Sequence, residues 1–343
     1  MTIKEVARLA EVSPAAVSRY LNGGSISEEK KARVRRAIEE TGYRPNPMAQ
    51  TMRTGRINQV GIIVPRLYSD SVSQITAGAA QKLFERNLMT VLGCTIHNVE
   101  TELQYLETMQ ESQVSGIILM GTVLTPEISE AIRGSRVPVV ITGQDFEDMP
   151  CVFHDDFHAA RDLTRLLTSK GRRRIAMICA PEEDIAVGKN RRLGAAQALI
   201  EAGLDPDAMP TEVSSFDADG GKAAMKRLLE KAPDLDGVVC ATDSMALGAL
   251  SALREAGKDI PGQVGIVGIG DSWVDAVTTP ALSTARLRFY ECGEEAAGLL
   301  LELIDAGQFP AQPLRRETPE QISEEKRPRR IMLPYTIMER GSA

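Results

Sequence analysis

Ser18 and Arg19 carry the first recognisable chemistry of the chain. Arg19 offers a rigid fork of N–H donors that matches the O6 and N7 acceptors of guanine, and Ser18 a hydroxyl suited to a phosphate oxygen. Just ahead of them Pro14, Ala15 and Ala16 offer apolar contact only, of the kind that meets a thymine methyl. Side chains of this sort read bases when they stand near the N-terminus of a helix seated in a major groove. The elements needed for that surround them. Thr2 and Glu5 have the spacing of a capping box, and Ile3, Val6 and Ala7 then line one helical face. Ala10-Glu11-Val12 leaves room for a tight turn alone, after which Ser13 as N-cap and Pro14 as first residue start a second helix. Val17 and Leu21 of that helix are expected to pack inward. Two short helices joined in this way form a helix-turn-helix reader of DNA.

Charge follows the same division. Residues 1–56 hold eleven Lys and Arg against six acids, net +5, whereas the chain carries −7, so the remainder carries −12. A basic head on an acidic body assigns a polyanionic partner to the head. Hydrophobic residues make up 43% and charged residues 25%, the balance of a water-soluble globular chain. No apolar run reaches the roughly 20 residues of a membrane span. The polar N-terminus is unlike a secretory signal, which points to the cytoplasm. Cys94, Cys151, Cys179, Cys240 and Cys292 are scattered, without zinc spacing, and read as reduced core residues.

Beyond Arg56 short apolar runs alternate with helical segments. Val60–Pro65, Leu88–Gly93, Val114–Met120 and Val137–Thr142 read as strands buried on both faces, with helices at about 73–86, 99–113 and 126–133. A second set follows at Arg174–Cys179, Glu212–Phe216, Gly237–Cys240 and Val264–Gly268. Two such sets make two doubly wound lobes with parallel sheets, whose ligands sit at the carboxyl ends of the strands. A polar, charged stretch at 317–330 precedes a last strand, Ile331–Ile337. No leucine heptad follows it, which argues against assembly through a C-terminal coiled coil.

Taken together the motifs resemble the lactose-repressor (LacI/GalR) family of bacterial regulators along the full length. They are Thr2-Ile-Lys-Glu-Val-Ala7, Val17-Ser-Arg-Tyr-Leu-Asn22 and Gly42-Tyr43-x-Pro45-Asn46 in the head. In the body they are Arg191-x-x-Gly194, Ala241-Thr-Asp-Ser-Met-Ala-Leu-Gly248 and Thr279-Pro-Ala-Leu-Ser-Thr284. The resemblance implies an all-α headpiece at 1–46, a hinge helix and linker at 47–58, and a periplasmic-binding-protein-like type I core at 59–343. Within that core it implies an N-lobe of about 59–158 and 288–316, and a C-lobe of about 159–287 and 328–343. Val64-Pro-Arg-Leu67, Asp184-x-Ala-Val-Gly188 and Phe289-Tyr-Glu-Cys292 look most similar to the sucrose-operon repressors, with trehalose repressors next.

The same resemblance supplies expected roles. Operator contacts would come from Thr2, Ser13, Pro14, Ala15, Ala16, Ser18, Arg19, Asn22, Tyr43 and Asn46. Pro14 and Ala15 depart from the polar pair many relatives carry, which removes hydrogen-bond readout there. Met48, Ala49 and Met52 lie on a hinge helix too short to be stable alone, with Met52 where a minor-groove wedge stands. Effector contacts would come from Arg66, Gly121, Thr122, Gln144, Asp156, Arg191 and Asp243, with Asp271 and Trp273 behind another strand. Arg66 suits a phosphate or a rim ion pair with Asp70. His154-Asp155-Asp156-Phe157-His158 looks metal-like, but strand neighbours point to opposite faces, and no metal or cofactor is expected.

The implied partners are a pseudo-palindromic operator, a second copy of the chain and a sugar or phosphosugar, a sucrose-like disaccharide foremost. A regulator tightened on DNA by a corepressor or protein partner shares every motif. A sugar-transport protein is opposed by the basic head. An enzyme is opposed by the lack of a nucleophile elbow, phosphate loop or dinucleotide fingerprint.

Overall fold

The computed structural model describes residues 2–21, 24–43, 58–307 and 328–343, which form two compact units divided between Asn58 and Gln59. The first holds α1 (Ile3–Leu9), α2 (Pro14–Leu21) and α3 (Glu28–Thr41). Thr2 and Glu5 close the capping box at the start of α1, and the following turn passes through Glu11 at φ 50°. Val6, Ala7, Ala10, Val17, Val34 and Ala37 make the buried core of this unit, with Leu21 and Tyr43 packed against it.

The second unit contains two six-stranded sheets. In the first lobe β1 (Gln59–Val64), β2 (Met89–Cys94), β3 (Gly116–Met120), β4 (Val139–Thr142), β5 (Cys151–His154) and β11 (Arg330–Leu333) run parallel in the order β11-β5-β4-β3-β1-β2. In the second lobe β6 (Ile175–Cys179), β7 (Thr211–Val213), β8 (Gly237–Cys240), β9 (Gly265–Gly270), β10 (Ser283–Leu287) and β12 (Tyr335–Met338) take the order β12-β10-β9-β8-β6-β7. There β12 alone is antiparallel, on β10. Helices α4 (Asp70–Phe84), α5 (Val99–Glu111) and α6 (Pro126–Arg133) belong to the first lobe. The second lobe is covered by α7 (Asp156–Ser169), α8 (Arg191–Glu201), α9 (Ala218–Lys231) and α10 (Asp243–Glu255). The last described helix, α11 (Phe289–Ala306), packs back on the first lobe through Cys292, Ala296, Leu299 and Leu300. Ile62, Ile118 and Val140 in one lobe and Met177, Val238 and Ile266 in the other are fully buried, as sheets covered on both faces require.

The chain therefore passes between lobes three times, after β5, after β10 and between β11 and β12. The last passage corrects the sequence reading of 328–343. The run Ile331–Ile337 is two strands, not one, and Arg330–Leu333 pairs with β5 in the first lobe. Pro334 lies between them; lacking an N–H and with φ fixed, it ends one ladder and lets the chain start another.

Candidate DNA-reading helix and ligand cleft

In the head, Pro14 opens α2 and the Ser13 hydroxyl accepts the Ala16 N–H at 3.2 Å. Ala15 and Arg19, four residues apart, share the exposed face, and the Arg19 Nε donates to the Ala15 carbonyl at 3.4 Å. Ser18 is half-buried. Ala16 is a correction: it is 4% exposed beside the fully buried Val17, so it packs inside the unit and does not present a methyl to a base. Tyr43 packs against the core, and its N–H donates to the Thr41 hydroxyl. Asn22, Asn46, Met48, Ala49 and Met52 lie outside the described residues. On α3 the basic run is a solvated face in which Lys31 pairs with Glu28 at 2.6 Å and Arg33 with Glu11 at 3.6 Å.

In the body, a cavity of about 90 Å³ opens between the lobes. It holds about three waters, well short of the several hundred Å³ usual for a small-molecule site. Arg66, Ser69 and Ser71 line it from the first lobe; Val187, Arg191, Phe216, Asp243 and Ser272 from the second; Phe289 from the second passage between them. What fills the rest of the cleft is the protein's own polar side chains. Gln144 is buried, donates to the Thr122 carbonyl at 3.0 Å and to Asp184 Oδ1 at 2.8 Å, and accepts the Ala186 N–H at 3.1 Å. Burial pushes the Asp184 carboxyl above its ordinary range, against the N–H groups of Val187 and Gln144. Asp184 caps the π-helical segment Ile185–Asn190, a local widening that recurs at functional sites.

Arg191 and Asp156 are each bound chiefly to the other. The Nε and Nη2 of Arg191 reach Asp156 Oδ1 at 2.8 and 2.6 Å, both residues are about 5% exposed, and Nη1 donates to the Ala241 carbonyl. Gly121 follows β3, and a Cβ there would sit 3.0 Å from Leu124, so it shapes the wall by leaving room. Asp243 is buried at the start of α10, where Oδ1 accepts the Thr284 hydroxyl at 2.6 Å and Oδ2 the Ser272 N–H at 3.2 Å. Gly268 and Gly270 make room for it: a Cβ would lie 2.3 Å from Oδ1 at the first and 2.6 Å from Oδ2 at the second. Burial pushes the Asp243 carboxyl up.

Of the two readings of Arg66, the rim ion pair with Asp70 is not formed; Asp70 accepts the Gln74 amide at 2.7 Å one helical turn on. The Arg66 guanidinium lies over the Phe216 ring, 4.4 Å from its centre, and its buried Nε has no hydrogen-bond partner. Burial lowers its pKa, against the more distant charges of Asp184 and Asp217. His97 stacks on the same ring with centroids 6.1 Å apart.

Asp271 and Trp273 are corrections. Asp271 is held by Arg286 and Arg340 in a surface ion-pair network, and Trp273 is 75% exposed; neither lines the cavity. The His154–His158 cluster divides three ways. His154 packs edge-on against Phe289 with centroids 5.2 Å apart, Asp155 caps α7 and bonds His158, and Asp156 binds Arg191. Among the described residues no group of His, Cys, Asp or Glu could hold a metal ion, and no helix is long and apolar enough to cross a membrane. Phe216, Asp184 and Phe289 stood in the sequence at strand ends or segment boundaries, but only contact across the lobes marks them.

A helix-turn-helix unit followed by a two-lobed core with a polar cleft between its lobes defines a DNA-binding regulator with a small-molecule sensor. Comparison with known proteins agrees: residues 2–46 match the bacterial regulatory proteins of the lacI family, and residues 164–323 match the periplasmic binding protein-like domain. The chain is 33% identical over 304 residues to the sucrose operon repressor of Staphylococcus xylosus, covering 88% of this chain and 93% of that protein. It is 33% identical over 313 residues to the transcriptional regulator CelR of Thermobifida fusca, covering 88% and 92%. Among solved structures, a CelR–cellobiose complex aligns over 100% of both chains with a TM-score of 0.73 at 29% identity. The lac repressor dimer bound to operator and the anti-inducer ONPF aligns over 100% of this chain and 98% of that one, with a TM-score of 0.84 at 23% identity, a likeness of fold. The protein belongs to the lacI family of bacterial regulatory proteins, and it is a transcriptional regulator, not an enzyme.

Proposed function

We propose that the protein represses a sugar-utilisation operon as a cytoplasmic homodimer and leaves its pseudo-palindromic operator when a sugar enters the cleft. The observation that carries this reading is the composition of the cleft. Gln144 and Asp184, joined across the lobes, and Asp243, which lines the cavity with Phe216, are planar polar groups that hydrogen-bond in pairs, as vicinal hydroxyls require. The sugar specificity of the relatives, a sucrose operon repressor and a cellobiose-bound regulator, points the same way.

In this reading the sugar takes over hydrogen bonds that Gln144 now makes across the lobes. Its differential affinity for two lobe arrangements then sets the coupling, typically about 1–3 kcal/mol. Arg19 and Ala15 on the exposed face of α2 read the operator and the half-buried Ser18 bonds a phosphate, with Thr2, Ser13, Asn22, Tyr43 and Asn46 positioning the head and Met48, Ala49 and Met52 acting at the hinge.

The test is fluorescence anisotropy on a pseudo-palindromic family operator, titrated with sucrose, trehalose, cellobiose and fructose. Release by one of them is the expected result. Tighter binding with sugar would make the protein a corepressed regulator instead.

A phosphorylated sugar is favoured by one specific observation, the desolvated Arg66 whose Nε has no partner. Arg66 is part-buried and pairs with neither Asp184 nor Asp217, whose charges reach it; desolvation of such a cation is costly, and a phosphate would relieve that cost. Paired titrations with sucrose and trehalose and with their 6-phosphates decide it; equal affinity for both forms removes the phosphate.

A further inference from the structure

Beneath the cleft, Asp275 is wholly buried on the short helical turn Trp273–Ala276, and neither of its carboxylate oxygens has a hydrogen-bond donor. Its carboxyl lies within hydrogen-bonding reach of the Asp243 carboxyl. Two carboxylates cannot both be ionised at that separation in a dry interior; with one proton between them, repulsion becomes a hydrogen bond. Among the described residues no Lys, Arg or His pairs with either carboxyl: Arg286 and Arg340 bind Asp271, and of the two only the Arg340 charge also acts on Asp275. The donors to Asp243 are the neutral Thr284 hydroxyl and Ser272 N–H.

We infer that Asp275 is a positioning acid which shares one proton with Asp243 and holds that carboxylate in place as the singly charged acceptor of the cleft. The inference rests on the reading of Asp243 as an effector contact. It explains why an acid, and not an apolar residue, occupies a site with no exposure. Asp243 takes two donors from the chain, the Thr284 hydroxyl and the Ser272 N–H, and a third from Asp275 fixes its rotation; Gly268 and Gly270 leave room for the carboxylate. Above the pH at which the shared proton leaves, the second charge would force the two carboxylates apart and spoil the acceptor.

The measurement is an infrared pH titration of the full chain, following the carbonyl stretch of a protonated carboxylic acid. The expected result is an acid band whose main component persists above the range in which Glu102 titrates, is lost at higher pH, and is absent as a component from Asp275→Asn, leaving only the weaker signal of the other raised carboxyls. Asparagine keeps the shape and donates to Asp243 without a titratable proton. No difference between wild type and D275N at neutral pH overturns the inference. If the variant does not fold, a wild-type spectrum without an alkali-sensitive acid band does so alone.

A second arm uses sucrose, trehalose and cellobiose as probes at neutral and alkaline pH. Roughly tenfold weaker binding at alkaline pH by the wild type, with a flat profile in D275N, is expected. An equal loss in both proteins overturns the positioning role. A chain that shows the acid band but binds none of the three sugars leaves the shared proton standing and removes the sugar reading instead.

Discussion

Gln144 of the first lobe and Asp184 of the second are joined at 2.8 Å across the cleft, and the Ala186 N–H returns a second bond to the same glutamine. One side chain thus clasps the lobes with both ends of its amide. Replacing it by alanine leaves Asp184 buried with fewer donors, a cost of about 1–3 kcal/mol to the closed arrangement. Gln144→Ala is expected to show a larger radius of gyration in small-angle X-ray scattering. An unchanged scattering profile would mean that other contacts keep the lobes closed.

Arg19 stands on the exposed face of α2, where its Nε donates to the Ala15 carbonyl of its own helix. Its truncation should cost about 1–3 kcal/mol on the true operator and much less on random DNA. Anisotropy titrations on both duplexes check this. Equal losses on the two would reduce Arg19 to a phosphate contact.

The Arg191–Asp156 pair is buried at both ends, and removing one partner strands the other. Such a break costs about 3–5 kcal/mol. Arg191→Ala should therefore lower the melting temperature of the protein without any ligand present, in addition to any effect on sugar release. A melting temperature equal to wild type would show that water re-solvates Asp156.

Glu102 on α5 is buried, its Oε1 has no partner, and burial alone pushes its carboxyl up to about 7. A raised acid holds its proton in the folded chain where the unfolded chain has released it. Its contribution is complete below the ordinary carboxylate range, at about pH 4.5, and is lost as pH rises through 7. The loss is on the order of 3 kcal/mol at most. Between pH 5 and pH 8 the wild type should lose more thermal stability than Glu102→Gln; parallel curves would place the titration elsewhere.

Local signals were the most legible. The Thr2–Glu5 box and Pro14 act within one helical turn, so they locate α1 and α2 without knowledge of the rest. Apolar runs likewise located eight of the strands, seven of them within two residues at either end; β5 and β10 were not read as strands, and β11 and β12 were read as one. Rotation of α2 about its axis was not legible, because Val34 and Ala37 of α3 decide which side is covered, and they covered Ala16 along with Val17. Asp271 looked free to face a ligand until Arg340, 69 residues on, claimed it. For Arg66 the sequence left a phosphate and the nearby Asp70 as alternatives, and in the fold Asp70 bonds Gln74 of its own helix. Phe216, Asp184 and Asp275 carry no local mark, since what defines each is a neighbour brought in by the tertiary fold.

Three passages between the lobes leave neither of them a continuous stretch of the chain: the first is assembled from segments around 59–154, 289–306 and 330–333, the second from 156–287 and 335–343. No single exchange of a gene segment can therefore transplant one lobe whole. Swapping at any one boundary would leave a foreign strand or helix in the neighbouring sheet. For a lineage of such sensors, a change of diet is open through substitutions in the cleft or through replacement of the entire core, and half a sensor is not a heritable part.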